Sequence, residues 1–125
     1  MSEYIKSMLE NHASVTLSSK KANWIWARSY IDNIAYAIYR AATSVKIINE
    51  VFNLGDIHLK EIELAFKLKE LTGWKGQIIP DEQIQDAYNY DQNLLMECSK
   101  IRQMLNYVEP VDIETALSRT IQCYC

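Results

Sequence analysis

The sequence predicts an all-α fold, an elongated bundle of about four helices built around one long central helix over about residues 20–53. Three observations carry this. Apolar residues recur in 3-4 alternation at Trp24, Ala27, Ile31, Ile34, Ile38, Ala41, Val45, Ile48 and Phe52, a heptad seam. Three glycines and two prolines are too few for the turns of an all-β chain. Apolar content of 49% with 23% charged residues lies in the globular range, which excludes wholesale disorder. At 125 residues the chain reads as one domain, 1–125, able to bury a core without metal or disulfide staples.

The elements follow in order. Glu3 to Asn11 forms a short amphipathic piece that offers Tyr4, Ile5, Met8 and Leu9 for burial, and the β-branched stretch Ala13 to Leu17 reads as extended. Ser18 or Ser19 caps the long helix, which runs to about Asn53 with Gly55 suited to its left-handed end. Asp56 opens a second helix, about 57–72, closed by Gly73. Trp74 to Ile79 is a loop, and Pro80-Asp81-Glu82 starts a third helix, about 81–107, whose seam includes Ile84, Ala87, Asp91, Leu94, Cys98, Ile101 and Leu105. Pro110 interrupts it, and a fourth short helix carries Ile113, Ala116, Leu117, Ile121 and Tyr124.

A helix of some thirty residues spans roughly 45 Å, more than the roughly 36 Å diameter of a compact chain this long. The excess requires an elongated bundle, a kink or a second copy, so a homodimer through the long helix is expected. Opposite the seam lie Trp26, Asn33, Tyr36, Arg40, Thr43 and Ile47. Trp, Tyr and Arg dominate binding hot spots, which makes this face a candidate partner surface unless the chain's own helices cover it. Trp74 and Lys75 form a second candidate patch at a loop.

No catalytic or metal constellation emerges. His12 and His58 are isolated, Cys98 lies on an apolar stripe, and Cys123 with Cys125 supplies only two thiolates, short of a zinc set. No Gly-rich phosphate loop occurs. The expectation is therefore a non-enzymatic protein-interaction module, an adaptor, complex subunit or inhibitor of the phage or mobile-element kind. It would have no cofactor and no metal, with Trp26, Asn33, Tyr36, Arg40, Ile47, Trp74 and Lys75 meeting a protein partner. One alternative is a small subunit contacting nucleic acid through Lys20, Lys21 and Arg28 or through Lys67, Lys69 and Lys75, disfavoured by the net charge of -3. Another is a Mg²⁺-dependent helical nucleotide hydrolase using Glu61, Glu63, Asp86 and Asp91. With no secretory signal, no run long enough to span a membrane and three cysteines, the expected setting is the cytoplasm.

Overall fold

In the computed structural model, which describes residues 1–46, 49–55 and 57–125, the chain leaves the helical conformation at Trp24 and enters a β-strand. The long central helix is thereby broken into α2 (Ser19–Asn23), β2 (Ile25–Arg28) and α3 (Ile31–Thr43). Aromatic and β-branched residues crowd Trp24-Ile25-Trp26, a composition suited to a pleated surface. The strand also finds partners. It pairs antiparallel with β3 (Ile57–Lys60), Ile25 opposite Lys60 and Arg28 opposite Ile57. Its other edge exchanges backbone bonds with Leu94, whose carbonyl accepts from the Ala27 amide at 2.6 Å and whose amide donates to the Ile25 carbonyl at 2.9 Å. Ladder bonds on both edges outweigh the helical period.

The remaining elements are α1 (Ser2–Leu9), β1 (Ser14–Ser18), α4 (Glu61–Thr72), β4 (Gln77–Asp81), α5 (Ser99–Leu105) and α6 (Ile113–Gln122). The fold is mixed: β1 and β4 pair in parallel, β2 and β3 antiparallel. This overturns the all-α bundle. Pro80, expected to open a helix, pairs with Leu17 inside β4. Of the third helix only Ser99–Leu105 is helical. Between Asp81 and Cys98 turn-forming side chains win: Asp81 Oδ1 accepts from the Gln83 amide at 2.8 Å and Asn89 Oδ1 from the Asp91 amide at 2.9 Å. The second helix starts four positions late, because residues 57–60 are spent on β3, and it ends at Gly73 with a left-handed φ of 69°.

Two apolar clusters hold these elements. The first gathers Tyr4, Ile5 and Met8 of α1, Val15 of β1, Leu64, Ala65 and Leu68 of α4, Trp74, and Leu117 and Ile121 of α6. Each fully buried Leu or Ile contributes about 1.5–3 kcal/mol. Asp112 caps α6, its Oδ1 accepting from the Thr115 amide at 2.9 Å. The second cluster holds Ala37 of α3, Cys98, Ile101 and Leu105 of α5, and Tyr107, flanked by Tyr36, Ala41, Phe52, Leu54 and Met96. No described helix is long and apolar enough to cross a membrane.

Helix α3 turns the expected way round inside out. Its buried residues are Asn33 and Ala37, whereas the seam residues Ile31 and Ile38 are 67% and 60% exposed. A polar contact selects the face. Asn33 Nδ2 donates to the Val111 carbonyl at 2.9 Å, Asn33 Oδ1 accepts from the Val111 amide at 3.0 Å, and the Tyr107 hydroxyl donates to the Asn33 carbonyl at 3.2 Å. The seam positions Val45 and Ile34 are exposed and half-buried, and Ile47, Ile48 and Asp56 lie outside the described residues.

Candidate functional site

The irregular segment after β4 is pinned across α2 and β2 by four side-chain contacts. The Ser18 hydroxyl, which also accepts from the Lys21 amide to cap α2, donates to Asp86. Lys20 Nζ pairs with Asp91 at 3.2 Å, Trp24 Nε1 donates to the Gln92 carbonyl at 2.8 Å, and the Ile25 amide donates to Asn93 Oδ1 at 3.0 Å. These contacts bring Tyr88 and Tyr90 edge-on to Trp24, with centroids at 5.5 and 5.0 Å, while Trp26 stacks on Trp24 at 5.2 Å and 9° between planes. Edge-to-face and offset-stacked rings at these separations are favourable geometries.

A cavity of about 520 Å³ opens beside the rings, lined by Lys20, Glu82, Ile84, Gln85, Asp86, Ala87, Tyr88, Asn89, Tyr90 and Asp91. That size suits a small organic ligand. Partial burial, then the Asp86 charge, pushes the Tyr90 phenol up, so it stays a neutral hydrogen-bonding group at neutral pH. Aromatic faces, amides and one lysine make a binding constellation. Asp86 and Asp91 are engaged by Ser18 and Lys20, which leaves Glu82 as the third carboxylate of the lining.

Beneath the ring stack lies a buried charge clasp. Arg28 and Glu61 form an ion pair with side chains only 12% and 5% exposed. Arg28 Nη1 also donates to the Leu59 carbonyl at 2.9 Å, Trp26 Nε1 donates to Glu61 at 3.2 Å, and the guanidinium lies 4.7 Å from the Trp26 ring centre. Burial foremost lowers the Arg28 pKa, against the pull of Glu61 in the other direction. Tyr4 joins from α1: its hydroxyl is buried with no hydrogen-bond partner among the described residues, and burial, then the Glu61 charge, pushes its pKa well up. The clasp ties β2, β3 and α4 together.

The expected partner face scatters. Trp26 belongs to the ring cluster, Asn33 is buried, and Tyr36 leans on Tyr107 with ring centres 6.2 Å apart. Arg40 donates to the Leu105 carbonyl, and Ile47 lies outside the described residues. Trp74 is buried in the first cluster with Nε1 donating to the His12 carbonyl at 2.7 Å, and Lys75 beside it is exposed. Helix α3 therefore turns the polar members of this expected surface inward.

The hydrolase and nucleic-acid alternatives lose their geometry as well. Glu61 is held by Arg28, Glu63 accepts from the Lys60 amide, and Asp86 and Asp91 are engaged as above. Among the described residues no group of three or more His, Cys, Asp or Glu could hold a metal ion. The basic residues disperse too, Lys21 over the Tyr4 ring at 5.5 Å and Lys69 onto the Gly76 carbonyl at 2.8 Å. Sequence reasoning missed Tyr88 and Tyr90. The run Tyr88-Asn89-Tyr90-Asp91-Gln92-Asn93, dense in turn formers, was the available signal against a helix there.

No protein-family model and no curated protein matches this sequence. Solved structures do share the fold. The UDP-glucose 4-epimerase of Thermotoga maritima, solved with UDP-glucose, superposes with a TM-score of 0.74 at 22% identity, over 98% of this chain and 38% of that one. The dTDP-glucose 4,6-dehydratase of Bacillus anthracis, in complex with NAD, gives 0.73 at 15% identity, over 98% and 37%. The GDP-mannoheptose C4 reductase of Campylobacter jejuni, with NADP bound, gives 0.72 at 18% identity, over 98% and 42%. This chain thus spans about two fifths of the length of enzymes whose fold it shares. A non-enzymatic helical adaptor or inhibitor is overturned by these enzyme neighbours together with the paired strands.

Proposed function

We propose that this chain is the substrate-side portion of an epimerase, dehydratase or reductase acting on nucleotide-linked sugars. The observation that carries the reading is the superposition over nearly the whole chain on three such enzymes. The ring-walled cavity supports it: Tyr88 and Tyr90 offer faces to a base or sugar ring, and Gln85 and Asn89 offer amides to hydroxyls. The exposed thiols Cys123 and Cys125 favour a reducing cytoplasm as the setting.

The neighbours' dinucleotides do not fit the turns of this chain. A pyrophosphate needs a Gly-rich strand-to-helix turn that brings backbone amides close. After β1 the turn is closed by Ser18, with Asp86 beside it, and after β3 the helix opens on Glu61 and Glu63, acids where an anion would sit. In this reading NAD or NADP is held by an α/β unit outside these 125 residues.

Calorimetric titration of the chain with UDP-glucose, dTDP-glucose and a GDP-sugar tests the reading. Binding of at least one is expected, weakened about tenfold by Tyr88→Ala, as loss of one ring stacked on a base would do. Absence of binding across the panel counts against the reading. Binding that neither Tyr88→Ala nor Lys20→Ala weakens moves the site away from this cavity.

A further inference from the structure

The lining of the ring-walled cavity is out of electrical balance. Among the described residues, three carboxylates, Glu82, Asp86 and Asp91, line it against one lysine, Lys20. Lys20 pairs with Asp91 at 3.2 Å and the Ser18 hydroxyl donates to Asp86, but among the described residues no basic group pairs with Glu82. The negative field acts inside the cavity, because after burial the Asp86 charge is the next cause that raises the Tyr90 phenol. The walls carry the same sign. Tyr88 and Tyr90 stand with ring centres 4.9 Å apart and planes inclined by 53°, and the face of an aromatic ring is the negative part of its quadrupole. Ring faces and carboxylates thus converge on one enclosed space of about 520 Å³, which a solvated acidic surface does not offer.

We propose that this cavity takes a ligand bearing a protonated primary amine, and that the nucleotide-linked sugar is an amino sugar with that amine free. The choice of a sugar rests on the reading of the chain as part of a nucleotide-sugar enzyme, whereas the charge argument rests on the cavity alone. An ammonium within about 6 Å of a ring centre is held by the negative face of the ring, and a carboxylate beside it adds a charge-assisted hydrogen bond. Tyr88 and Tyr90 supply the faces and Glu82 the carboxylate. A diphosphate is disfavoured here, since a cleft lined by one sign of charge repels the same sign. The sugar end of the ligand, not its phosphates, therefore meets these residues. A hydroxyl in place of the amine is of similar size but carries no charge for the rings and Glu82 to hold.

The test is calorimetry on the full chain with UDP-glucosamine, UDP-glucose and UDP-N-acetylglucosamine, and with free glucosamine and glucose as a pair without nucleotide. At about pH 6.5, where an amine is protonated, UDP-glucosamine should bind about tenfold tighter than either neutral ligand. Glu82→Gln should bring the three together. Tyr88→Leu, which keeps an apolar wall but removes the ring face, should narrow the preference, and Lys75→Glu, on the loop after α4, should leave it unchanged. Glu82 and Tyr88 are exposed, so both variants should keep the melting temperature of the parent. Equal binding of the three UDP-sugars overturns the proposal and leaves the nucleotide-sugar reading in place. A preference for the amine that survives both Glu82→Gln and Tyr88→Leu also overturns it, by placing the amine elsewhere. If no UDP-sugar binds, the nucleotide-sugar reading falls and the free pair decides. Glucosamine bound over glucose, with Glu82→Gln abolishing the difference, sustains the amine site, and equal or absent binding of the two overturns it.

Discussion

The two apolar clusters differ in how they are enclosed. The first is covered by α1, α4 and α6 and by the paired strands β1 and β4, and buries ten residues, Leu68 and Ala65 among them with no exposure at all. The second buries five, between one side of α3, the short α5 and irregular chain, with partly exposed residues closing its margin. Enclosure governs local stability, since a segment with few buried contacts opens at lower free energy than the molecule as a whole. The contrast teaches that the first region is well enclosed, whereas α3 is packed on one side, by Asn33 and Ala37, and is otherwise tied by the exposed Asp32–Arg119 ion pair and by Arg40.

The largest effect expected from breaking this comparison lies in the clasp beneath the first region. Glu61→Ala leaves Arg28 buried and unpaired, and should cost about 3–5 kcal/mol in chemical denaturation, with Glu61→Gln recovering part of it through the Trp26 hydrogen bond. Next come paired truncations. Leu68→Ala should cost about 2–5 kcal/mol, whereas Ile38→Ala, an equally apolar residue on the open face of α3, should stay within about 0.5 kcal/mol. Equal losses at the two positions would mean that the outer face of α3 is buried.

Asn33→Ala should cost about 1–3 kcal/mol, because it leaves the amide and carbonyl of Val111 without their partner. Amide exchange sharpens this: the variant should speed exchange through α3 and α5 and leave α4 unchanged. The smallest effect concerns alkaline pH. The Tyr4 phenol has a raised pKa in the fold, so its contribution is fully present below the unfolded value of 10.0 and is lost as pH rises through the folded one. Stability should therefore fall above pH 10, more steeply than in Tyr4→Phe. Matching slopes in urea titrations would remove Tyr4 from the account.

Much of the local structure was legible. Ser18 as a cap, Gly73 as a helix end and the final helix around Ala116, Leu117 and Ile121 all follow from short-range chemistry that packing did not override. The 3-4 alternation from Trp24 to Phe52 misled for a definite reason. It is a genuine apolar pattern, but Trp24 to Arg28 gains ladder bonds on two edges from segments distant in sequence, and periodicity says nothing of such partners. The inward face of α3 carries Asn33, whose bonds to Val111 span 78 positions, together with Ala37, Tyr36 and Ala41 packed on the second cluster. The cavity was hidden by the same cause: reading 81–107 as one helix dispersed Tyr88 and Tyr90 around its circumference. Lys20 and Trp24 were noticed only as a basic-aromatic patch, without the segment that turns them into the wall of a pocket.

The most direct test is a solvent-paramagnetic relaxation measurement on isoleucine methyls at low protein concentration. The inverted orientation of α3 requires the Ile31 and Ile38 methyls to be strongly broadened by the soluble probe, while Ile5 of α1 and Ile101 of α5, buried at 0% and 2% exposure, are spared. Protected Ile31 and Ile38 methyls in a monomer, with the Asn33 side-chain amide open to the probe, would restore a packed seam and contradict the account.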